Sequence, residues 1–296
     1  ATFAVKRLPG RVLSGFKARG SHDIGPIDSC LILHPALLAF ADRIAALAAR
    51  LPPEWTSAAF AATLCDNGVD LDIAPMSKGG ALCGAALQDF AEAMDPAGVI
   101  RASVHGDVLL ERAAPVVRFA GVSVSPPPGG FLQASAEGEA ALAAIIEAEA
   151  KGARRAVDLF SGCGSFSFPL AKTAAVDAYD GDASAIAALD KAARRSPLKP
   201  VRAFRRDLFQ RPLSAAEMKG FDLALFDPPR AGAAAQAAEL ARADLATVVG
   251  LSCNPSTFAR DAAILSQGGF ALAHVTPVDQ FVYSPHVELV GVFRRR

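Results

Sequence analysis

Three segments of the chain place reactive side chains at the boundaries of short apolar runs that are typical of buried strands. One of them is SCNP at residues 252–255, where Cys253 lies on a tight turn just before a predicted helix. A helix N-terminus lowers the pKa of a thiol from its usual value of ~8.5, which favours the nucleophilic thiolate. Taken alone, such a cysteine is more often a small buried apolar residue. Two other motifs at strand ends, DLFSGCGS at residues 158–165 and DPPR at residues 227–230, favour nucleophilic chemistry instead.

Carboxylates occupy comparable positions in the other two segments. Asp227 begins DPPR at residues 227–230, where two prolines stiffen the loop and remove two backbone donors. Glu288 begins the last apolar run and has apolar neighbours. A plain surface turn and an outward-facing glutamate are the alternatives. Beside a reactive cysteine and a bound base, however, Glu288 could accept a proton.

A glycine-rich segment, DLFSGCGS at residues 158–165, predicts a ligand-binding turn between a strand and a helix. Glycines at such a turn let a ligand approach the backbone closely. Asp180 ends the next predicted strand, where a carboxylate can hydrogen-bond a ribose diol. Ser167 replaces the third glycine of a dinucleotide fingerprint, so the pattern favours S-adenosylmethionine, which has a ribose but no pyrophosphate. An ordinary turn containing glycines is the alternative.

The surrounding sequence predicts the elements that would hold these motifs. From residue 126 onward, strand and helix patterns alternate, which indicates an α/β fold with a doubly wound, mainly parallel sheet. Ligands of such sheets bind beyond the carboxyl ends of the strands. Residues 1–125 mix short strand patterns with one amphipathic helix and predict a smaller α+β domain. The segment SPPPGG at residues 125–130 is the clearest boundary signal, so we predict domains at 1–125 and 126–296.

Composition excludes several classes of protein. Of the 296 residues, 52% are hydrophobic and 20% charged, which argues against general disorder. No apolar run reaches the ~18 residues that a membrane-spanning helix needs. The five cysteines lack paired spacing, which indicates a reduced, cytoplasmic protein. Thirty basic residues balance thirty acidic ones, so nucleic acid binding through bulk charge is excluded. We expect a monomer, and the Ala at position 1 suggests a fragment or a processed chain.

Taken together, the segments SCNPSTFARD, DPPRAG and SPHVELVGVF resemble the RNA uracil-5-methyltransferase family, which modifies transfer RNA and bacterial large-subunit ribosomal RNA. The resemblance covers residues 131–296 and extends more weakly to residues 15–33. It implies a class I, Rossmann-like methyltransferase fold, S-adenosylmethionine as cofactor and RNA as partner. The glycine loop looks more like the ribosomal-RNA branch, so 23S ribosomal RNA is the expected substrate. A transfer RNA substrate, or a catalytically inactive RNA-binding relative, is the alternative.

The resemblance also implies roles for individual residues. Cys253 matches the nucleophile that adds to C6 of the uracil, and Glu288 matches the general base. Ser165 is commonly Asn in the family, and no metal takes part in the reaction. The positions matched to cofactor binding are Gln133, Phe160, Gly162, Gly164, Ser165, Asp180, Asp207 and Asp227.

An iron–sulfur cluster is not expected in the chain as given. Many ribosomal-RNA members bind one through a closely spaced trio of cysteines and one later cysteine. Cys30 matches the later ligand, but Cys65 and Cys83 follow it and lack the spacing of the trio. We interpret Cys30 as an orphan ligand of a longer parent protein or as a small packed residue.

Other activities fit less well. Cytosine-5 methylation usually needs a second cysteine in the loop that here reads DPPR, and adenine N6 methylation would need an aromatic residue in place of Arg230. An NAD-linked oxidoreductase is disfavoured by the missing third glycine. Two basic groups could contact RNA phosphates, although the second could equally be a solvated helix end. They are Lys6, Arg7, Arg11, Lys17 and Arg19, and then Arg194, Arg195, Lys199, Arg202, Arg205 and Arg206.

Overall fold

A computed structural model describes all residues of the chain except 19, 22, 78, 79, 281, 283 and 285. The described chain divides into two compact units. One comprises Ala1–Val117 with Ser125–Gly130, and the other comprises Arg118–Val124 with Phe131–Arg296. The proline-rich segment SPPPGG therefore groups with the first unit, although the short stretch before it groups with the second. No helix among the described residues is long and apolar enough to cross a membrane.

The first unit is a seven-stranded sheet with two helices. The elements are β1 (Thr2–Leu8), β2 (Arg11–Lys17), β3 (Ile24–Gly25), α1 (Pro35–Ala49), β4 (Ser57–Cys65), β5 (Gly68–Pro75), α2 (Gly84–Ala97), β6 (Val99–Val104) and β7 (Asp107–Glu111). The strand order is β3-β2-β1-β4-β5-β6-β7. Among the described strands of this unit, only β5 and β6 pair in parallel, and α2 makes the crossover between them. Phe3, Ile44, Phe60 and Phe90 are fully buried in its core.

The second unit contains the remaining elements. They are β8 (Val117–Phe119), β9 (Val122–Val124), α3 (Ala136–Glu149), β10 (Arg155–Leu159), α4 (Ser167–Ala171), β11 (Ala175–Asp180), α5 (Ala183–Ala193), β12 (Val201–Arg205), β13 (Leu223–Phe226), α6 (Ala234–Arg242), β14 (Thr247–Ser252), α7 (Pro255–Gln267), β15 (Phe270–Val278) and β16 (Glu288–Arg295). The large sheet has the order β12-β11-β10-β13-β14-β16-β15, and β8 pairs with β9 in a separate two-stranded sheet.

Alternation along the central strands explains why helices cover both faces of this sheet. In β13, Ala224 and Phe226 join one hydrophobic cluster, whereas Leu223 and Leu225 join the other. Side chains of a strand point alternately to opposite faces of the sheet. A strand that is apolar throughout must therefore be covered by other elements on both faces. The five strands from β10 to β14 pair in parallel, and β15 and β16 add an antiparallel edge. This confirms the predicted doubly wound α/β fold.

Register brings the predicted motifs to one edge of the sheet. Leu159 of β10 lies beside both Tyr179 of β11 and Phe226 of β13, and Phe226 lies beside Gly250 of β14. The chain runs outward from β10 to β12 and then returns to β13. The topological switch point therefore lies between β10 and β13, where open α/β sheets bind their ligands.

Candidate functional site

The glycine loop after β10 turns tightly against the end of β11 and leaves part of its own backbone uncovered by side chains. Phe160 has a positive φ of 68°, and its N–H and that of Ser161 both donate to the carbonyl of Tyr179, at 2.9 and 3.1 Å. Gly164 also has a positive φ, and a Cβ on it would lie 2.9 Å from the ring of Phe168. At Gly162 a Cβ would meet no atom of the described residues within 4 Å. Packing therefore requires Gly164, whereas Gly162 leaves the backbone open to a ligand.

Asp180 connects the end of β11 to this loop. Its Oδ2 accepts a hydrogen bond from Gly162 N at 2.9 Å, and its Oδ1 accepts one from Asp182 N at 2.7 Å. A carboxylate oxygen can accept more than one bond, so both oxygens retain capacity for a further donor. The carboxylate therefore both holds the open glycine in place and offers acceptors for hydroxyl groups.

Asp207 and two aromatic rings extend the same edge of the sheet. Arg206 N donates to the Asp180 carbonyl at 2.7 Å, which brings Asp207 next to the end of β11. The exposed Asp207 carboxylate accepts from the N–H groups of Phe209 and Gln210, at 3.0 and 3.1 Å. The Phe209 ring is 52% exposed, and its centroid lies 5.3 Å from that of Phe160. An apolar surface beside a carboxylate suits a planar base that carries an amino group.

Two carboxyl groups at the switch point are held in a poorly hydrated environment. Asp158 is 1% exposed and accepts a hydrogen bond from Ser167 Oγ at 2.5 Å, yet burial raises its pKa to about 7. Asp227 keeps a partly accessible surface, but burial and then the charges of Glu288 and Asp158 raise its pKa to about 8. Asp227 is therefore largely protonated at neutral pH and can donate a hydrogen bond.

These raised pKa values predict how stability depends on pH. The folded state retains the proton of Asp227 up to a pH of about 8, whereas an unfolded aspartate releases it near the ordinary value of about 4. The free energy of unfolding therefore falls as the pH rises through this window. Asp227→Asn cannot ionise, so the stability of the variant relative to the wild type should increase from pH 5 to pH 8.5. Urea denaturation at several pH values measures this difference.

Asp222→Asn is a control of opposite sign, because backbone N–H groups of Arg155 and Arg154 lower the pKa of Asp222. Its carboxylate stabilises the fold only when it is ionised, so this variant should lose stability relative to the wild type above a pH of about 4. A stability difference for Asp227→Asn that did not change with pH would contradict the assigned environment.

Antiparallel pairing brings Cys253 and Glu288 together. Ser252, the last residue of β14, lies opposite Leu289 of β16. Continuing this register by one residue places Cys253 opposite Glu288. The two groups interact electrostatically, because the Glu288 carboxylate contributes to raising the pKa of the Cys253 thiol. We call the edge of the sheet at the carboxyl ends of β10, β11, β13 and β14 the crevice. A nucleophile and a candidate base therefore share one side of it, although they lie 35 positions apart in the chain.

Side-chain hydrogen bonds fasten the cysteine turn to the DPPR loop. The Asn254 side chain caps α7 by accepting from Ser256 N at 3.0 Å, and its Nδ2 donates to the carbonyl of Arg230 at 3.2 Å. Thr257 Oγ1 donates to the same carbonyl, also at 3.2 Å. Cys253 and Asp227 are thus held by loops that are bonded to each other.

The expected lowering of the Cys253 pKa was wrong for the protein without ligands. Burial raises the pKa of this thiol, and the carboxylates of Glu288 and Asp227 raise it further. The thiol's own backbone N–H and the guanidinium of Arg230 act in the opposite direction but do not compensate. The surroundings of the thiol therefore disfavour the thiolate.

Gln133 and Ser165 complete the predicted set. Gln133 Oε1 accepts a hydrogen bond from Gln280 Nε2 at 3.0 Å, which ties it to the segment before β16. Ser165 is partly buried in the glycine loop, and no described group hydrogen-bonds to its side chain. The sequence reasoning singled out neither Gln280 nor Glu139, a partly buried acid in the first turn of α3. Acidic residues are common in the first turn of a helix, so the sequence gives no sign that Glu139 is special. Only the packing of α3 shows that this side chain is partly buried.

The two basic groups are partly used within their own units. Arg7 donates to the carbonyls of Ala48 and Leu51, and Arg19 lies outside the described residues. In the second group, three arginines form ion pairs. These pairs are Arg194 with Asp190, Arg202 with Asp177 and Arg206 with Glu217.

No cluster of three or more His, Cys, Asp or Glu side chains in the described part of the chain has the arrangement of a metal site. Cys30 is partly buried, and its Sγ accepts a hydrogen bond from Leu33 N at 3.4 Å.

Comparison with known proteins relates the whole chain to RNA methyltransferases. A family model described as tRNA (Uracil-5-)-methyltransferase matches residues 193–296. An uncharacterized RNA methyltransferase of Brucella suis is 42% identical over 301 residues, covering 100% of this chain and 71% of that protein. A second uncharacterized RNA methyltransferase, of Caulobacter vibrioides, is 43% identical. That alignment covers 95% of this chain and 68% of the Caulobacter protein.

A named relative and a solved structure are more distant. The 23S rRNA (uracil(1939)-C(5))-methyltransferase RlmD of Pectobacterium atrosepticum is 29% identical, and the alignment covers 96% of this chain and 64% of that protein. The Pyrococcus abyssi tRNA (uracil-54, C5)-methyltransferase in complex with S-adenosyl-L-homocysteine has a similar fold, with a TM-score of 0.76 at 22% identity. The match covers 99% of this chain and 75% of that one.

Proposed function

Because the chain belongs to the RNA uracil-5-methyltransferase family, we propose that it methylates C5 of a specific uridine in 23S ribosomal RNA through a covalent Cys253 adduct. The observation that carries this proposal is the strand register that sets Cys253 against Glu288. C5 of uracil is a poor nucleophile, and it must also lose a proton when it gains a methyl group. A thiol and a base on one side of a crevice meet both requirements.

The cofactor is S-adenosylmethionine, whose sulfonium carries a methyl group that a carbon nucleophile can take. The crevice fits such a molecule. Gly162 leaves backbone open to an approaching ligand, and the Asp180 carboxylate offers acceptors for the ribose hydroxyls. Phe160, Phe209 and Asp207 form an edge suited to adenine. Ser161 Oγ is buried and has no hydrogen-bond partner among the described residues, as expected where a ligand completes the bonding.

Cys253 begins the reaction in this proposal. Its thiolate adds to C6, which makes C5 enolate-like and able to attack the methyl group. Glu288 then removes the proton from C5, and the thiolate leaves as the C5–C6 double bond forms again. Positive charge brought into the crevice by the cofactor would offset the carboxylates that raise the pKa of Cys253. A protonated Asp227 can donate a hydrogen bond to an electron-rich oxygen in this site.

We also assign the RNA and the first unit roles in this proposal. The target base must leave its stack to reach Cys253, so a flipped or loop nucleotide is required. The first unit would contact the RNA, because its β1–β2 hairpin presents the exposed side chains of Lys6, Arg11 and Lys17. The protein would act as a monomer in the cytoplasm. Support for ribosomal RNA over transfer RNA comes from sequence identity, which is 29% with the relative named for 23S rRNA and 22% with the transfer RNA enzyme.

The substrate is tested with RNA from a strain that lacks the gene. Purified protein and S-adenosylmethionine should form 5-methyluridine at one position of that strain's 23S ribosomal RNA, located by mass mapping of nuclease fragments. Transfer RNA from the same strain should remain unmodified. If only transfer RNA were methylated, the protein would belong to the transfer-RNA branch of the family. If the folded protein bound RNA but methylated neither substrate, the alternative of a catalytically inactive RNA-binding protein would be favoured.

A further inference from the structure

Two buried side-chain polar atoms in the described part of the chain have no hydrogen-bond partner, and both lie in the second unit. They are Ser161 Oγ in the glycine loop and Gln280 Oε1 just beyond β15. Each residue is only 7% exposed. Buried polar groups nearly always find partners, so an unpaired one calls for a specific explanation such as a missing ligand.

Gln280 is held against the first turn of α3. Its Nε2 donates to Gln133 Oε1 at 3.0 Å, which fixes the amide and leaves Oε1 as the free acceptor. A Cβ on Gly138 would lie 2.5 Å from Gln280 Cγ and 2.6 Å from Gln280 Oε1. Only glycine at position 138 allows this approach, because any side chain there would displace the amide.

Glu139 supplies a second acceptor beside the same turn. It follows Gly138 in α3, and burial raises the pKa of its carboxyl to about 7. No described group hydrogen-bonds to this carboxyl or forms an ion pair with it. Its charge contributes to raising the pKa of Cys163, so the Glu139 carboxyl lies near the glycine loop. A partly buried carboxylate without a counter-charge is costly unless a ligand supplies one.

The polar groups around this turn match the two charged ends of an α-amino acid. Gln280 Oε1 and the Glu139 carboxylate accept hydrogen bonds, as an ammonium group requires. Gln133 Oε1 already accepts from Gln280, and Gln133 Nε2 has N–H donors to offer, as does the Ser161 hydroxyl. These donors suit a carboxylate. Acceptors and donors therefore lie around one place at the junction of α3, the glycine loop and the segment before β16.

We propose that Glu139 and Gln280 bind the α-ammonium group of the methionine moiety of S-adenosylmethionine, while Gln133 and Ser161 donate to its carboxylate. This inference rests on the proposed function, since it names the residues that would hold the far end of the same cofactor. It makes Glu139 a specificity residue, because an ionised carboxylate favours ligands that carry the ammonium group over otherwise identical ligands that lack it.

Calorimetry with two ligands tests the assignment without requiring catalysis. One ligand is S-adenosylhomocysteine, and the other is S-adenosyl-4-mercaptobutyrate, which lacks only the amino group. The ratio of their dissociation constants measures the contribution of the ammonium. In Glu139→Gln this ratio should fall by about tenfold or more, as expected for a charge-assisted hydrogen bond. In Gln280→Met, which keeps the side-chain length but removes the acceptor, the ratio should fall by a smaller factor.

Glu137→Gln is the matched control, because Glu137 lies in the same first turn but is exposed. Its ratio should equal that of the wild type. If Glu139→Gln and Gln280→Met both kept the wild-type ratio, the inference would be overturned while the proposed function stood. Equal weakening of both ligands by these variants would also overturn it, since that result indicates a structural role. Failure of the folded wild type to bind S-adenosylhomocysteine would instead remove the proposed function, and this inference with it.

Discussion

Replacing Cys253 with alanine is expected to abolish both methylation of the RNA and any covalent complex between protein and RNA. The variant cannot add to C6, so C5 never becomes nucleophilic enough to accept the methyl group. Loss of an essential nucleophile commonly lowers turnover by roughly 10⁴-fold or more. Incorporation of labelled methyl groups measures the loss, and denaturing gel electrophoresis detects the complex.

Cys83→Ala is the matched control for this experiment, because Cys83 is an exposed cysteine of the first unit. It should retain wild-type activity. S-Adenosylhomocysteine should bind to Cys253→Ala about as well as to the wild type, since the thiol acts on the base. Full methylation by Cys253→Ala would remove covalent catalysis from the proposal.

The second large effect is expected for Glu288→Gln, and it differs in kind from the first. The glutamine keeps the size of the side chain but cannot take the proton from C5. Addition and methyl transfer then proceed while elimination stalls, so a methylated covalent protein–RNA complex should accumulate. Overall turnover should fall by roughly 10²–10⁴-fold, the usual contribution of a general base. Mass spectrometry of the complex shows whether the methyl group has been transferred.

Two comparisons sharpen this result. A 5-fluorouracil substrate should trap the wild-type protein in the same way, because fluorine cannot leave as a proton does. Glu288→Asp retains a carboxylate and should recover part of the turnover. Normal turnover by Glu288→Gln would refute the assignment of Glu288 as the base. It would not affect the assignment of Cys253 as the nucleophile. The amide removes one of the charges that raise the pKa of Cys253, so faster adduct formation by Glu288→Gln is also expected.

The pattern of residues alone was enough to predict the fold of the second unit. Buried strands of a parallel sheet are continuously apolar, and turns between strands and helices need glycine, proline or a capping side chain. These are local requirements, so they are visible in the sequence. The sequence pattern predicts strands at Ala156–Phe160 and Thr247–Leu251, and the observed β10 at Arg155–Leu159 and β14 at Thr247–Ser252 lie within one residue of them. Helix α2 (Gly84–Ala97) was not predicted, because glycine begins it and Pro96 lies inside it.

Only the tertiary structure decided which distant residues meet and what charge they carry. The helix-end argument for Cys253 considered its own turn, whereas the pKa depends on Glu288 and Asp227 brought in by other strands. Likewise, Gln280 meets Gln133 across 147 positions of chain, and the nearby Glu139 looks like an ordinary helix residue in the sequence. Three arginines that suggested RNA contacts proved to be paired with carboxylates of their own unit. Electrostatic environment and hydrogen-bond partners depend on packing between remote segments, and local patterns do not record that packing.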